Sequence, residues 1–241
     1  MRPILLFPIP AFDHNDDLFA PVDKAEAALG QLLFYDPILS GNRNIACATC
    51  HHPKFATADG VALAIGEGGI GLGPERQADP AHMPDERIPR NAPALFNLGA
   101  YEFSTMFHDG RLQADPSQPG GIRTPMDADM VTGFASVLSA QTDVSGAEQC
   151  RNGRQLSRKR HRTRRAPRAD HWQRRRVGSD CAACGGCARL HTAVRAFYPH
   201  INSGEDIAFT DISNAIAAFM AFEWRSDTAP FDAVLRGDST L

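Results

Sequence analysis

The chain has 241 residues, 43% of them hydrophobic, which is enough to bury the core of one large domain or of two small ones. Its longest apolar runs fall well short of the roughly 18 residues that a membrane span needs, so membrane-embedded chemistry is excluded. The net charge of −3 conceals a division, because residues 151–176 hold twelve basic residues and one acid (+11) and the rest of the chain carries −14.

Residues 1–20 are predicted to form an N-terminal extension that precedes one domain, residues 21–241. The first ten residues contain one Arg and a short apolar stretch, but three prolines interrupt them. No small-residue cleavage site follows, so no signal peptide is evident in this chain.

From Pro21 the pattern is helical, because apolar residues recur at intervals of three and four: Ala25, Ala28, Leu29, Leu32 and Leu33. The Asp36-Pro37 pair is predicted to end this helix, since the residue before a proline disfavours helical conformation.

Residues 47–51 read Cys-Ala-Thr-Cys-His, the C-x-x-C-H attachment signal for c-type haem. Cys47 and Cys50 lie one helical turn apart, so each thiol can form a thioether with a vinyl group, and His51 can serve as the proximal ligand to the haem iron. Half of a zinc site is the alternative, but no second Cys or His pair lies at a convincing distance outside the basic segment. His52 is interpreted as a surface neighbour. Because haem is attached covalently outside the bacterial cytoplasm, the motif predicts a periplasmic protein.

Residues 40–135 are rich in Gly and Pro and show little periodicity, as in residues 66–74. A domain with this much loop needs an organiser other than its side-chain core, and a large bound cofactor is one. Helical periodicity returns after Thr210, a predicted N-cap, in an apolar stripe made of Ile212, Ala215, Ile216, Phe219 and Met220. The predicted fold class is mainly α.

Several sequence blocks resemble the bacterial dihaem cytochrome c peroxidase family, which includes the MauG-type enzymes. The resemblance lies in residues 29–40, the haem motif, residues 90–97 (Arg-Asn-Ala-Pro-Ala-Leu-Phe-Asn), residues 107–111 (Phe-His-Asp-Gly-Arg), residues 208–212 and residues 231–238. It implies a mostly helical, cytochrome-c-like protein whose N-terminal haem meets peroxide, while a second haem supplies electrons from a cytochrome or similar donor. The 241 residues contain one C-x-x-C-H motif, so we expect this chain to be an N-terminal fragment with one haem site and without the second haem domain.

The resemblance also implies roles for two residues on the distal side of the haem. In the family a Gln and, ten residues later, a Glu that precedes Met occupy these positions. The matching residues are Gln141 and Glu148, which are seven residues apart, and Gln149 follows Glu148. Glu148 would be the acid–base residue and Gln141 would position the oxygen. Exposed loop residues are the alternative interpretation.

Two further positions match family positions. Asn91 matches a residue near a calcium ion, or it makes the turn before Pro93. His108 stands where the family often has Trp, and we interpret it as a packed loop histidine in preference to a ligand or a proton relay.

The basic segment allows three interpretations: a nucleic-acid patch, a metal site at Cys181, Cys184 and Cys187, or a frameshift. Residues 178–190 can be encoded by codons that, when read in a frame shifted by one nucleotide, encode an amphipathic helix. The family has such a helix at this point. We therefore expect a frameshift that affects residues 150–191, poor packing there, and no nucleic-acid partner.

The leading functional hypothesis is an oxidoreductase that reduces hydrogen peroxide at haem c, with reduced activity in a chain that has one haem site. The competing hypothesis is a monohaem electron-transfer protein without catalysis.

Overall fold

The computed structural model describes residues 18–40, 43–84, 87–118, 120–125, 132–141, 192–205, 207–235 and 237. In these ranges the named helices are α1 (Lys24–Tyr35), α2 (Cys47–Cys50), α3 (Pro199–Asn202), α4 (Phe209–Glu223) and α5 (Pro230–Leu235). Residues 137–141 and 192–197 are helical as well. Helical residues outnumber strand residues in the described part of the chain, in agreement with a mainly α class.

An aspartate cap sets the start of helix α1, and a proline follows its end. The Asp23 carboxylate caps its start by accepting hydrogen bonds from the backbone N–H groups of Ala25 at 2.7 Å and Glu26 at 3.2 Å. The helix ends at Tyr35, and Asp36 is extended before Pro37, as the sequence predicts.

The structure confirms the helix that the apolar spacing predicts, but only some of those apolar residues are buried. Leu29 and Leu33 are buried, but Ala25, Ala28 and Leu32 are exposed. The buried face is centred instead on Ala27, Gly30, Leu33 and Phe34. The reason is Gly30, because a Cβ atom there would stand 1.8 Å from the carbonyl oxygen of Ala215 in α4. Because α1 and α4 approach closely at Gly30, the face of α1 that carries this glycine is the buried one. The spacing of apolar side chains alone does not indicate this.

Helix α4 carries the predicted apolar stripe on its buried face, but its start differs from the prediction. The N-cap is Ala208 and not Thr210, which lies inside the helix. The backbone N–H of Ala208 donates to the Asp211 carboxylate at 2.9 Å. The Asp211 carboxylate in the first turn therefore provides a capping hydrogen bond, a role that the sequence analysis assigned to the Thr210 hydroxyl.

The core lies where α1 crosses α4. The rings of Phe34, Phe219 and Trp224 pack with centroids 5.0 to 5.3 Å apart in tilted and edge-on arrangements. Ala48 of α2 belongs to the same buried cluster. The short helix of the haem motif is thus anchored on the main helix pair.

Between α2 and residue 125 the described chain is mostly turns with five short strands. Strand β1 (Gly69–Ile70) pairs antiparallel with β2 (Gln77–Ala78), with Gly69 opposite Ala78. Strands β3 (Thr105–Met106), β4 (Leu112–Ala114) and β5 (Ile122–Arg123) form an antiparallel sheet in that order.

Several predictions lie outside the described residues. These are most of the N-terminal extension, Glu148, and the packing of residues 150–191. The domain boundaries remain predictions. In the part of the chain that is described, no helix combines the length and the apolar character that crossing a membrane requires.

Candidate haem-binding site

The C-x-x-C-H motif forms a single helical turn, α2. The backbone N–H of Ala46 donates to the Thr49 hydroxyl at 2.9 Å, and the N–H of His51 donates to the Cys47 carbonyl at 2.9 Å. Both ends of the turn are therefore satisfied locally. Cys47 and Cys50 are free thiols, so both sulfur atoms are available for thioether bonds.

The His51 imidazole is held in the tautomer that a metal ligand requires. Its Nδ1 atom lies 3.0 Å from the backbone carbonyl oxygen of Thr57. A carbonyl only accepts, so Nδ1 carries the proton and Nε2 keeps its lone pair. The backbone of Pro93 also lies within hydrogen-bonding reach of the ring. Burial lowers the pKa of His51, which favours the neutral, ligating form.

Thr57 is the residue that positions His51, and its conformation is unusual. It is 1% exposed and has a φ of 60°, in the left-handed region that a β-branched residue rarely adopts. Its hydroxyl accepts from the backbone N–H of Leu95 at 2.7 Å and donates to the Ala56 carbonyl at 2.7 Å. The strained turn is thereby tied to the segment that follows Arg-Asn-Ala-Pro.

Burial changes the acidity of the two thiols. It raises the pKa of Cys47 to about 11 and also raises the pKa of Cys50. Both side chains are neutral thiols at neutral pH in this structure. Two free thiols one turn apart and, beside them, an imidazole whose Nε2 keeps its lone pair fit covalently bound haem.

The distal residues are only partly visible in the described structure. Gln141 lies at the end of the helical residues 137–141 and is half-buried. Glu148 lies outside the described residues, so the two distal roles stay predictions.

Asn91 is exposed and contacts Asp59. Its side-chain amide donates to the Val61 carbonyl and, at 3.4 Å, to the Asp59 carboxylate. No group of three His, Cys, Asp or Glu side chains that could hold a metal ion occurs among the described residues. The calcium assignment of Asn91 stays a prediction.

Two further histidines discussed from the sequence, His52 and His108, lie in or beside turns. The Nδ1 atom of His52 accepts from the backbone N–H of Lys54 at 3.1 Å, so this side chain caps the turn that follows the motif. His108 is exposed, and its interpretation as a packed loop histidine was wrong. Phe107, with a φ of 65°, makes a tight turn there that places His108 on the surface.

Sequence reasoning missed Thr57, Asp59 and Arg76. Asp59 is 2% exposed and Arg76 is 9% exposed, although both lie in a stretch that reads as polar loop. Their burial depends on contacts with residues far away in the chain, such as Leu95 for Thr57. No local pattern of residue types signals such contacts.

Sequence comparison relates the chain to haem enzymes. The family described as "Di-haem cytochrome c peroxidase" matches residues 24–240. The methylamine utilization protein MauG of Methylorubrum extorquens is 33% identical over 109 residues, 45% of this chain and 25% of that protein. The cytochrome c551 peroxidase of Pseudomonas aeruginosa is 32% identical over 91 residues, 38% of this chain and 21% of that protein. The chain thus matches a quarter or less of the length of these two relatives.

One solved structure is that of "a MauG-like protein associated with microbial copper homeostasis". It aligns with 100% of this chain and 51% of that chain, at 22% identity and a TM-score of 0.46.

Proposed function

The chain belongs to the di-haem cytochrome c peroxidase family, and we propose that it is a haem-dependent oxidoreductase that reduces hydrogen peroxide with electrons from a cytochrome or similar donor. The observation that carries this proposal is the state of His51. Its Nδ1 atom donates to the Thr57 carbonyl, so the proton of the neutral ring is on Nδ1 and Nε2 keeps the lone pair that can ligate iron. Free Cys47 and Cys50 lie in the same turn.

Haem bound there would supply an iron that takes up electrons and offers a coordination position to peroxide. The residues of this chain would attach the haem, ligate its iron and hold the ligand in position. Cys47 and Cys50 would form the two thioether bonds, and His51 would ligate the iron through Nε2. Thr57 holds the proton on Nδ1 and fixes the plane of the ring. The anchoring of α2 on α1 would keep these groups in place during turnover.

The conversion of hydrogen peroxide to two water molecules consumes two electrons and two protons. We assign proton transfer to Glu148 and oxygen positioning to Gln141, because the family resemblance implies these roles. A carboxylate that accepts a proton from one peroxide oxygen and returns it to the leaving oxygen allows that oxygen to depart as water. We place the protein in the periplasm, where haem c is attached.

A second candidate function is electron transfer by a single haem without catalysis. It is favoured by the single C-x-x-C-H motif in the 241 residues. The two candidates differ at the sixth coordination position of the iron. A carrier would give a six-coordinate, low-spin spectrum that peroxide leaves unchanged, whereas the peroxidase requires an iron that reacts with peroxide.

The experiment expresses the chain with a periplasmic c-type haem maturation system and measures the spectrum, the covalent haem content and peroxide turnover with a reduced cytochrome. We expect covalent haem and a spectral change with peroxide, and we expect both to be lost in His51→Ala. The matched control is His52→Ala, the neighbouring histidine, which should keep both. Covalent haem with an unchanged spectrum under peroxide would favour the carrier, and absence of covalent haem would refute both functions.

A further inference from the structure

Arg76 is a buried cation whose hydrogen bonds all go to neutral backbone groups. Its side chain donates to the carbonyl oxygens of Ile65 at 2.8 Å, Gly66 at 2.9 Å and Gly71 at 2.7 Å. Arg76 forms no salt bridge in the described part of the chain, and Asp59 is the carboxylate that acts on it electrostatically. Buried charges normally have a directly bonded partner of opposite sign, so the positive charge of Arg76 is only partly compensated.

The segment that Arg76 organises packs directly against the haem motif. We call residues 60–78 the glycine-rich lobe. A Cβ atom on Gly73 of this lobe would lie 2.2 Å from the ring of Phe55, which belongs to the turn immediately after His51 and His52. Arg76 therefore belongs to a lobe that contacts the haem-attachment segment, and its charge acts on Cys50 of that segment.

Asp59 places a buried negative charge beside the same segment. It is 2% exposed, and its Oδ1 atom accepts from the backbone N–H of Val61 at 3.2 Å. Its position is fixed because the preceding residue, Ala58, accepts a hydrogen bond from the backbone N–H of His52 at 3.1 Å. Asp59 and Arg76 form no salt bridge with each other in the described structure, but their opposite charges interact with each other as well as with Cys50.

Cys50 experiences both charges. Burial raises the pKa of its thiol, Asp59 raises it further and Arg76 lowers it. His51 experiences the Asp59 charge as well. Two opposite charges thus act on the residues that would hold the haem, in a region where burial weakens the screening of charge.

We propose that Arg76 and Asp59 set the reduction potential of a haem held by Cys47, Cys50 and His51, and that they act in opposite directions. Reduction adds one electron to the haem. A buried cation stabilises the reduced form and raises the potential, and a buried carboxylate lowers it. The inference rests on the proposed haem site and is independent of peroxide turnover.

Four variants separate charge from packing. Arg76→Met removes the charge and keeps much of the side-chain volume. Arg76→Lys keeps the charge but loses the planar fork that bonds the lobe carbonyls. Asp59→Asn keeps the shape and removes the charge. The matched control is Arg87→Met, because Arg87 also donates to a nearby carbonyl, that of Leu63 at 3.0 Å, but is exposed to solvent.

The test is the midpoint potential of the haem-loaded protein, measured by spectroelectrochemical titration. We expect a lower potential in Arg76→Met, a higher one in Asp59→Asn, and values near that of the unmodified protein in Arg76→Lys and Arg87→Met. Shifts of the same sign in Arg76→Met and Asp59→Asn, or an equal shift in Arg76→Lys and Arg76→Met, would overturn the proposal.

If Arg76→Met does not fold, Asp59→Asn decides, and an unchanged potential in that variant refutes the inference. Peroxide turnover is measured on the same samples. The expected potential shifts without turnover would refute the proposed function and support this inference. Turnover without the shifts would support the proposed function and refute this inference.

Discussion

The phenol hydroxyl of Tyr198 lies 2.8 Å from Glu26 Oε1 and joins the chain before α3 to the first turns of α1. The same hydroxyl lies 2.8 Å from the backbone carbonyl oxygen of Asp211 in α4. One hydroxyl proton is thus placed between two acceptors that belong to the two main helices. Burial raises the pKa of Tyr198, and the hydrogen bond to Glu26 raises it further.

Tyr198→Phe should therefore lower the free energy of unfolding at neutral pH by about 1 kcal/mol, the usual contribution of one hydrogen bond. The unfolded chain loses the phenol proton near the ordinary pKa of 10, while the folded chain keeps it to higher pH. The contribution of Tyr198 is therefore complete below that pH and is lost as the pH rises above it. Urea unfolding at several pH values between neutral and alkaline checks this.

The control for Tyr198 is Tyr101→Phe, because Tyr101 is 61% exposed. This variant should match the unmodified protein at every pH. An alkaline loss of stability that is as steep in Tyr198→Phe as in the unmodified protein would contradict the assignment.

Gly30→Ala tests the crossing of the two long helices. Alanine favours helix over glycine by about 1 kcal/mol, but the added Cβ would meet the backbone of α4 at Ala215, which cannot rotate away. We expect a net loss of at least about 2 kcal/mol, as for an overpacked core, measured by thermal or urea unfolding. Gln31→Ala, at the exposed neighbouring position, should have little effect. A Gly30→Ala protein as stable as the unmodified one would show that the helices can separate without cost.

Thr57→Val tests the support of His51. The substitution keeps the branched shape but leaves the backbone N–H of Leu95 without its acceptor, which costs about 1–3 kcal/mol when the group is buried. Thr57→Ser, which retains the hydroxyl, is the matched control and should lose less. Urea unfolding measures the stability. The covalent haem content should fall in the valine variant, and equal haem content and stability in both variants would argue against this role.

Asp109 should titrate as an unusually strong acid. The Arg111 guanidinium donates to both carboxylate oxygens at 2.9 Å and lowers the pKa of Asp109 from 3.8 to about 2. The contribution of this pair to stability is present above about pH 4 and is lost as the pH falls toward 2. Carboxyl chemical shifts followed by NMR should give the low pKa, and Arg111→Gln should return it to the ordinary value. An unchanged pKa in Arg111→Gln would exclude the guanidinium as the cause.

The frameshift hypothesis is tested at the nucleotide level. We expect the gene between codons 142 and 192 to encode the amphipathic helix of the family in the offset reading frame. The motivating observation is the +11 charge of residues 151–176 in a chain that is otherwise acidic. An offset frame with stop codons or without the family helix would refute the hypothesis.

Local sequence patterns were sufficient for the features that depend on neighbouring residues. Three such features are determined by residues that lie close together in the sequence: the C-x-x-C-H motif, the end of α1 before Pro37 and the apolar stripe of α4. The N-cap of α4 was assigned to Thr210 because the neighbouring Asp211 carboxylate, which accepts from the backbone N–H of Ala208, was not considered. The buried face of α1 depends on a distant partner, because the close approach of Gly30 to Ala215 selects it.

The sequence by itself determined the chemistry: two thiols and an imidazole at haem-binding spacing, and the family to which they belong. Only the tertiary structure decided which nitrogen of His51 carries the proton, because that depends on the carbonyl of Thr57 in a strained turn. It alone revealed Arg76 and Asp59 as buried charges. Burial and hydrogen bonding are properties of the folded chain, and residue types in a glycine-rich segment do not encode them locally.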